Sequence, residues 1–150
     1  MNQTLIDNWN QRVGINDDGY ILGDFALTGI EGVKEILQQL NGNIILILGN
    51  HDRQIAKQHG LFHKVYKALE LRIGPRKILL THRPADEANG PSGKPYDINK
   101  YAVCLCGHVH EKWRKKGTKI INVGVDVWDF KPITFEDILR EINGKTPRKS

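Results

Sequence analysis

Long apolar stretches, a spaced cysteine framework, internal repeats and a dividing linker are all missing from this 150-residue chain. Ile44–Leu48 is its clearest purely apolar run, and five residues fall far short of the ~20 that a membrane-spanning helix needs. The two cysteines, Cys104 and Cys106, sit one residue apart and share a face of any strand that contains them. Such a pair builds no framework, so reduced thiols are expected. The opening residues Met1–Asp7 carry neither a basic nor an apolar region, so no secretory signal is expected and a cytoplasmic location is. With 39% hydrophobic and 26% charged residues, the composition excludes disordered and fibrous classes. One domain is expected over residues 1–144, followed by a basic tail at 145–150.

The positive excess, +5 overall, is localised. Lys112, Arg114, Lys115, Lys116 and Lys119 lie in one short stretch, and Lys145, Arg148 and Lys149 lie at the end. Without these eight residues the chain is acidic. A solvated hairpin and a tail explain the pattern. A basic rim that attracts phosphate or nucleic acid is the sharper reading. Trp113 is the only aromatic interleaved in the stretch, so support for nucleic acid is weak.

Leu5, Ile6, Trp9 and Val13 recur at helical spacing, which predicts a helix from residue 2 to about residue 11. Asn16–Gly19 is a turn cluster, and Tyr20–Leu22 a short strand ending at Gly23-Asp24. Ile30, Val33, Ile36, Leu37 and Leu40 mark a second helix closed by Asn41-Gly42. Asn43–Leu48 is apolar and β-branched, as in strands buried on both faces. Val65–Ile73 and Lys77–Thr81 predict two strands joined at Gly74-Pro75. Residues 84–100 form a long loop, a length that in compact domains is often functional. Tyr101–Cys106, Lys119–Val123 and Val125–Val127 are strand-like. Thr134-Phe135-Glu136-Asp137 is a capping box opening a last helix through Ile142. Alternating strands and helices give an α/β domain.

Asp24, Asn50, His82, His108 and His110 directly follow apolar strands. Strand carboxyl ends in α/β sheets converge on one crevice. Taken singly, such an aspartate is usually a cap and such a histidine a surface or core residue; their joint occurrence argues for a site. Carboxylate, amide oxygen and imidazole form a mixed oxygen and nitrogen set suited to Mn, Fe, Zn or Ni rather than calcium. Arg53 and Arg83 flank the motifs as potential phosphate contacts, with surface exposure the simpler reading, and His59 and His63 read as ordinary surface residues.

Gly23-Asp24, Gly49-Asn50-His51-Asp52, Thr81-His82 and Gly107-His108-Val109-His110 appear in an order that resembles the calcineurin-like metallophosphoesterases, especially small bacterial and phage-type members. The resemblance runs from about Leu5 to Ile138, and Asn122–Asp126 is similar to the segment after the last motif. It implies an αββα sandwich of two mixed sheets flanked by helices. It also implies a dinuclear metal site, manganese first among the candidates. Asp24 would bridge both metals, Asn50, His82 and His108 would complete one site, and His110 would serve the other. His51 would be a non-ligand histidine that stabilises the phosphoryl group and protonates the leaving oxygen, oriented by Asp52. The implied activity is hydrolysis of a phosphomonoester or phosphodiester by in-line attack of metal-bound hydroxide. The partner would be a small phosphate ester or nucleotide, without a membrane.

The family pattern opens with a strand ending in Asp-x-His, and no histidine precedes Asp24 in this chain. By resemblance, one metal site would keep four protein ligands and the other only Asp24 and His110. The first strand of the fold would be missing, leaving its neighbours with unpaired edges. The alternative reading is a non-catalytic remnant that binds one metal or a phosphorylated ligand.

Overall fold

A computed structural model describes residues 3–22, 30–48, 62–87, 90, 93–107, 112–123 and 132–142. Helix α1 (Gln3–Arg12) leads into strand β1 (Asp18–Leu22), helix α2 (Ile30–Gln39) and strand β2 (Asn43–Ile47). Strands β3 (Lys64–Tyr66), β4 (Leu69–Ile73), β5 (Arg76–Leu80), β6 (Val103–Cys106), β7 (Lys115–Lys116) and β8 (Ile120–Asn122) follow, then helix α3 (Phe135–Ile142). A 3-10 turn spans Ile98–Lys100.

Two sheets form. The first, in the order β1-β2-β3, is wholly parallel, with Leu22 opposite Ile47 and Ile47 opposite Tyr66. The second runs β4-β5-β6-β8-β7, with β5, β6 and β8 parallel and antiparallel strands at both edges. Among the described residues β1 has a strand neighbour on one side only.

Strand parity explains the layers. On β2, Ile44 and Leu46 face the helices and pack with Ile6, Trp9, Ile36, Leu40 and Phe62. Ile47 faces the other way, where Leu22 joins Ile78, Leu80, Val103, Leu105 and Ile121 between the sheets. Both faces of β2 are therefore covered, which accounts for its uninterrupted apolar run. Burial of each such side chain contributes roughly 1.5–3 kcal/mol. On the outer face of the second sheet, Cys104 and Cys106 pack with Leu79, Ala85, Tyr101 and Ile120 under Tyr96, Ile98 and Trp113. The two-sheet α/β class is as expected. On that outer face, however, the described covering residues are Ala85, Tyr96, Ile98 and Tyr101, while α3 inserts Ile138 into the core between the sheets.

Local hydrogen bonds fasten α1 to the end of α2. The Trp9 indole donates to Asn41 O at 3.0 Å, Asn10 Nδ2 donates to Gln39 O at 2.7 Å, and Asn41 N donates to Asn10 Oδ1 at 2.8 Å. Carbonyls that a helix end leaves without intrahelical partners are thereby satisfied. The Trp9 ring lies over Gly19, where an added Cβ would collide with it.

One expected strand is two. Val65–Ile73 breaks at Lys67-Ala68, with β3 pairing parallel to β2 and β4 antiparallel to β5 in the other sheet. Tyr66 and Leu69 both pack into the core between the sheets, so the apolar pattern continues across the corner and hides it. The basic stretch does contain a hairpin, β7 to β8, turning at Gly117 with φ +62. Val125–Val127 and the 145–150 tail lie outside the described residues.

Candidate metal centre

The carboxyl ends of β1, β5 and β6 meet at one point. Beyond β5, the ladder continues in register: Thr81 N donates to Leu105 O at 3.0 Å and Gly107 N to His82 O at 2.9 Å. Val123 N likewise donates to Cys106 O at 2.8 Å. Thr81 Oγ1 donates to Arg83 O at 2.5 Å, a local turn that takes the chain away from the sheet just after His82. Because Ile78 and Leu80 face the inner core, strand parity points His82 the same way.

His82 is buried, and its Nδ1 lies 2.8 Å from Leu22 O. A carbonyl oxygen can only accept, so Nδ1 is the donor in this contact, and in the neutral ring any coordination would be through Nε2. This is the arrangement that metal-ligating histidines adopt, with the second nitrogen donating to a backbone carbonyl or carboxylate. Leu22 itself stands two residues before Asp24. The partner of this candidate ligand is thus a backbone carbonyl, a group that side-chain motifs do not reveal.

Of the ligand candidates, His82 is the one inside the described residues; Asp24, Asn50, His108 and His110 lie outside them, as do His51, Asp52, Arg53 and His59. Among the described residues no group of three or more His, Cys, Asp or Glu side chains is placed to hold a metal. Arg83 and His63 are exposed, in line with their reading as surface residues.

The basic stretch is partly committed to the fold. Lys119 Nζ donates to Tyr101 O at 2.8 Å and Ile98 O at 3.4 Å, and Lys115 Nζ to Glu141 O at 2.8 Å. Lys116 pairs with Asp86 at 2.7 Å, a hydrogen bond that raises the ammonium pKa. Lysines tied to backbone carbonyls and a carboxylate are poorly disposed to track a phosphate backbone.

The profile described as a calcineurin-like phosphoesterase superfamily domain matches residues 8–134. The chain belongs to that superfamily. An uncharacterized protein of Methanocaldococcus jannaschii is 32% identical over 157 aligned residues, covering 99% of this chain and 79% of the relative. The Gene 66 protein of Mycobacterium phage L5 is 28% identical over 153 aligned residues, covering 83% of this chain and 73% of the relative. The crystal structure of a protein of unknown function from Aquifex aeolicus superposes with a TM-score of 0.72 at 26% identity, covering 91% of this chain and 82% of that one. Superfamily membership brings an association with divalent metals and phosphate esters. Among the described residues no helix is long and apolar enough to cross a membrane.

Proposed function

We propose that this chain is a metal-dependent phosphoesterase acting on a phosphomonoester or phosphodiester. The observation that carries the reading is the His82 ring, buried at the meeting point of three strand ends with Nδ1 committed to Leu22 O. That ring fits a divalent metal, because a neutral imidazole oriented by a backbone acceptor presents its other nitrogen as a ligand. Asp24, Asn50, His82 and His108 would hold one ion, and His110 with Asp24 would serve a second. Asp24 follows Leu22 by two residues, Asn50 follows Leu48 by two, and His108 follows Gly107 directly, so each is fed by a strand end. The amide of Asn50 supplies an uncharged oxygen and leaves the site able to attract a phosphate. A bound divalent metal supplies Lewis-acid activation of water and of the phosphoryl oxygens.

His51 would act as the proton donor to the leaving oxygen, and Asp52 would orient it by accepting its other ring hydrogen. The test is hydrolysis of p-nitrophenyl mono- and diesters by the purified chain with added Mn²⁺, with His51→Ala alongside. The variant is expected to lose ~10²–10⁴-fold in turnover while keeping its metal content. Equal turnover in the two proteins, or hydrolysis indifferent to chelators, would remove the assignment.

A further inference from the structure

We propose that Gly107 is a positioning residue of the candidate metal centre, a step that rests on the phosphoesterase reading above. Its bare Cα lets the Leu22 carbonyl stay close enough to orient the His82 ring. A Cβ built on Gly107 would stand 2.8 Å from Leu22 O and 3.8 Å from Leu22 Cβ. Positive φ angles occur at Gly42, Gly74, Gly93 and Gly117, and Gly107 is not among them. Its φ is therefore outside the left-handed region that favours glycine, and what demands glycine here is space. The obstacle is a backbone oxygen in a strand, which cannot swing aside as a flexible side chain would.

Three contacts close a triangle. Leu22 O accepts from His82 Nδ1 at 2.8 Å, His82 O accepts from Gly107 N at 2.9 Å, and Leu22 O occupies the space where a Gly107 Cβ would stand. A methyl group on Gly107 must open one side. If β1 retreats, the bond that sets the His82 ring lengthens. If β6 retreats, it pulls on the residue that carries the ring. Either way the orientation of Nε2 is degraded, although Gly107 touches no reacting atom. Because β1 leads into Asp24 and β6 into His108, the same displacement separates the two strand ends that supply those donors.

The experiment compares wild type, Gly107→Ala and Gly19→Ala. Gly19 lies at the far end of β1, where the added methyl meets the Trp9 ring, so that variant reports simple destabilisation. Ring-nitrogen NMR of metal-free protein, at a pH where imidazoles are neutral, is expected to show the Nδ1–H tautomer of His82 in wild type and Gly19→Ala. In Gly107→Ala it is expected to show a tautomer mixture. Mn²⁺ affinity is expected to fall about 10–100-fold in Gly107→Ala, the effect typical of losing an outer-shell partner, and to hold in Gly19→Ala. An unchanged tautomer in Gly107→Ala, or an equal affinity loss in both variants, overturns the proposal. If wild type binds no Mn²⁺, the phosphoesterase reading fails, while the metal-free tautomer comparison still decides the role of Gly107. If Gly107→Ala does not fold, the wild-type spectrum still tests the premise: the Nε2–H tautomer overturns the contact between His82 and Leu22 O on which the proposal stands.

Discussion

Arg12 and Asp137, 125 residues apart in the chain, meet at 3.0 Å and tie the first helix to the last. Arg12 Nη1 also donates to Pro132 O at 3.1 Å, just before the Thr134 cap. Asp137 completes that cap by accepting from Thr134 N at 3.0 Å, while its own N–H donates to Thr134 Oγ1 at 3.3 Å. One carboxylate therefore serves both a helix N-terminus and a tertiary latch.

Asp137 makes part of the stability depend on acid pH. Burial by itself pushes its pKa up, but Thr134 and the Arg12 guanidinium outweigh burial and hold it below the ordinary value. A carboxyl depressed in the folded state binds fewer protons there than in the unfolded chain. Its contribution is thus present above the ordinary aspartate value of ~3.9 and is lost as pH falls through the folded value. Asp137→Asn is expected to cost about 1–2 kcal/mol at neutral pH. Urea unfolding of both proteins across the acid range checks this: the stability gap should narrow as pH falls, and a constant gap would contradict it.

Tyr101 carries the opposite sign. It is buried, and its hydroxyl donates to Glu70 Oε1 at 2.5 Å, with Lys77 Nζ 3.3 Å from Glu70 Oε2. Burial, then the Glu70 hydrogen bond, raise the phenol pKa, and the Tyr101 hydroxyl in turn is the chief cause of the lowered Glu70 pKa. The folded state retains the phenol proton that the unfolded chain releases near pH ~10, so stability falls as pH rises beyond that value. Tyr101→Phe is expected to cost about 1 kcal/mol at neutral pH and to move the Glu70 titration up. NMR titration of the Glu70 carboxyl reads this directly, and an unmoved Glu70 would show that the hydrogen bond does not form in solution.

Cys104 and Cys106 are expected to be inert while the protein is folded. Burial pushes their thiols up, to about 11 for Cys104 and about 12 for Cys106, and the thiolate is the reactive form. Both are free and lie on one face of one strand. Labelling with a chromogenic disulfide at neutral pH should track global unfolding, rising with urea in step with the loss of fluorescence. Rapid labelling of native protein would mean that the outer loop layer opens independently.

Metal affinity should separate two histidines that look alike in composition. His82→Ala removes a proposed ligand, and a loss of Mn²⁺ affinity of at least about 10-fold is expected, since loss of an outer-shell partner alone costs that much. His63 is exposed, and His63→Ala should bind as wild type does. Metal analysis of the dialysed proteins discriminates, and equal content in both variants would detach His82 from the site.

The amino-acid sequence determined the elements and the motifs, because both are local. The 3.6 spacing of Leu5, Ile6, Trp9 and Val13 and the apolar run before Gly49 need no partner to be read. The Thr134–Asp137 cap is equally local, as its donors and acceptors lie within one turn. The tertiary structure decided what depends on through-space neighbours. The corner at Lys67-Ala68 escapes the sequence because Tyr66 and Leu69 enter one core from two sheets, leaving the hydrophobic pattern unbroken. Lys115 and Lys119 read as part of a solvated hairpin or basic rim until the carbonyls of residues 141, 98 and 101 arrive to accept from them. The Leu22 carbonyl that orients His82 is invisible for a more basic reason. Every residue has such an oxygen, and only the approach of β1 to β5 and β6, close enough that a Cβ on Gly107 would meet it, brings this one to His82.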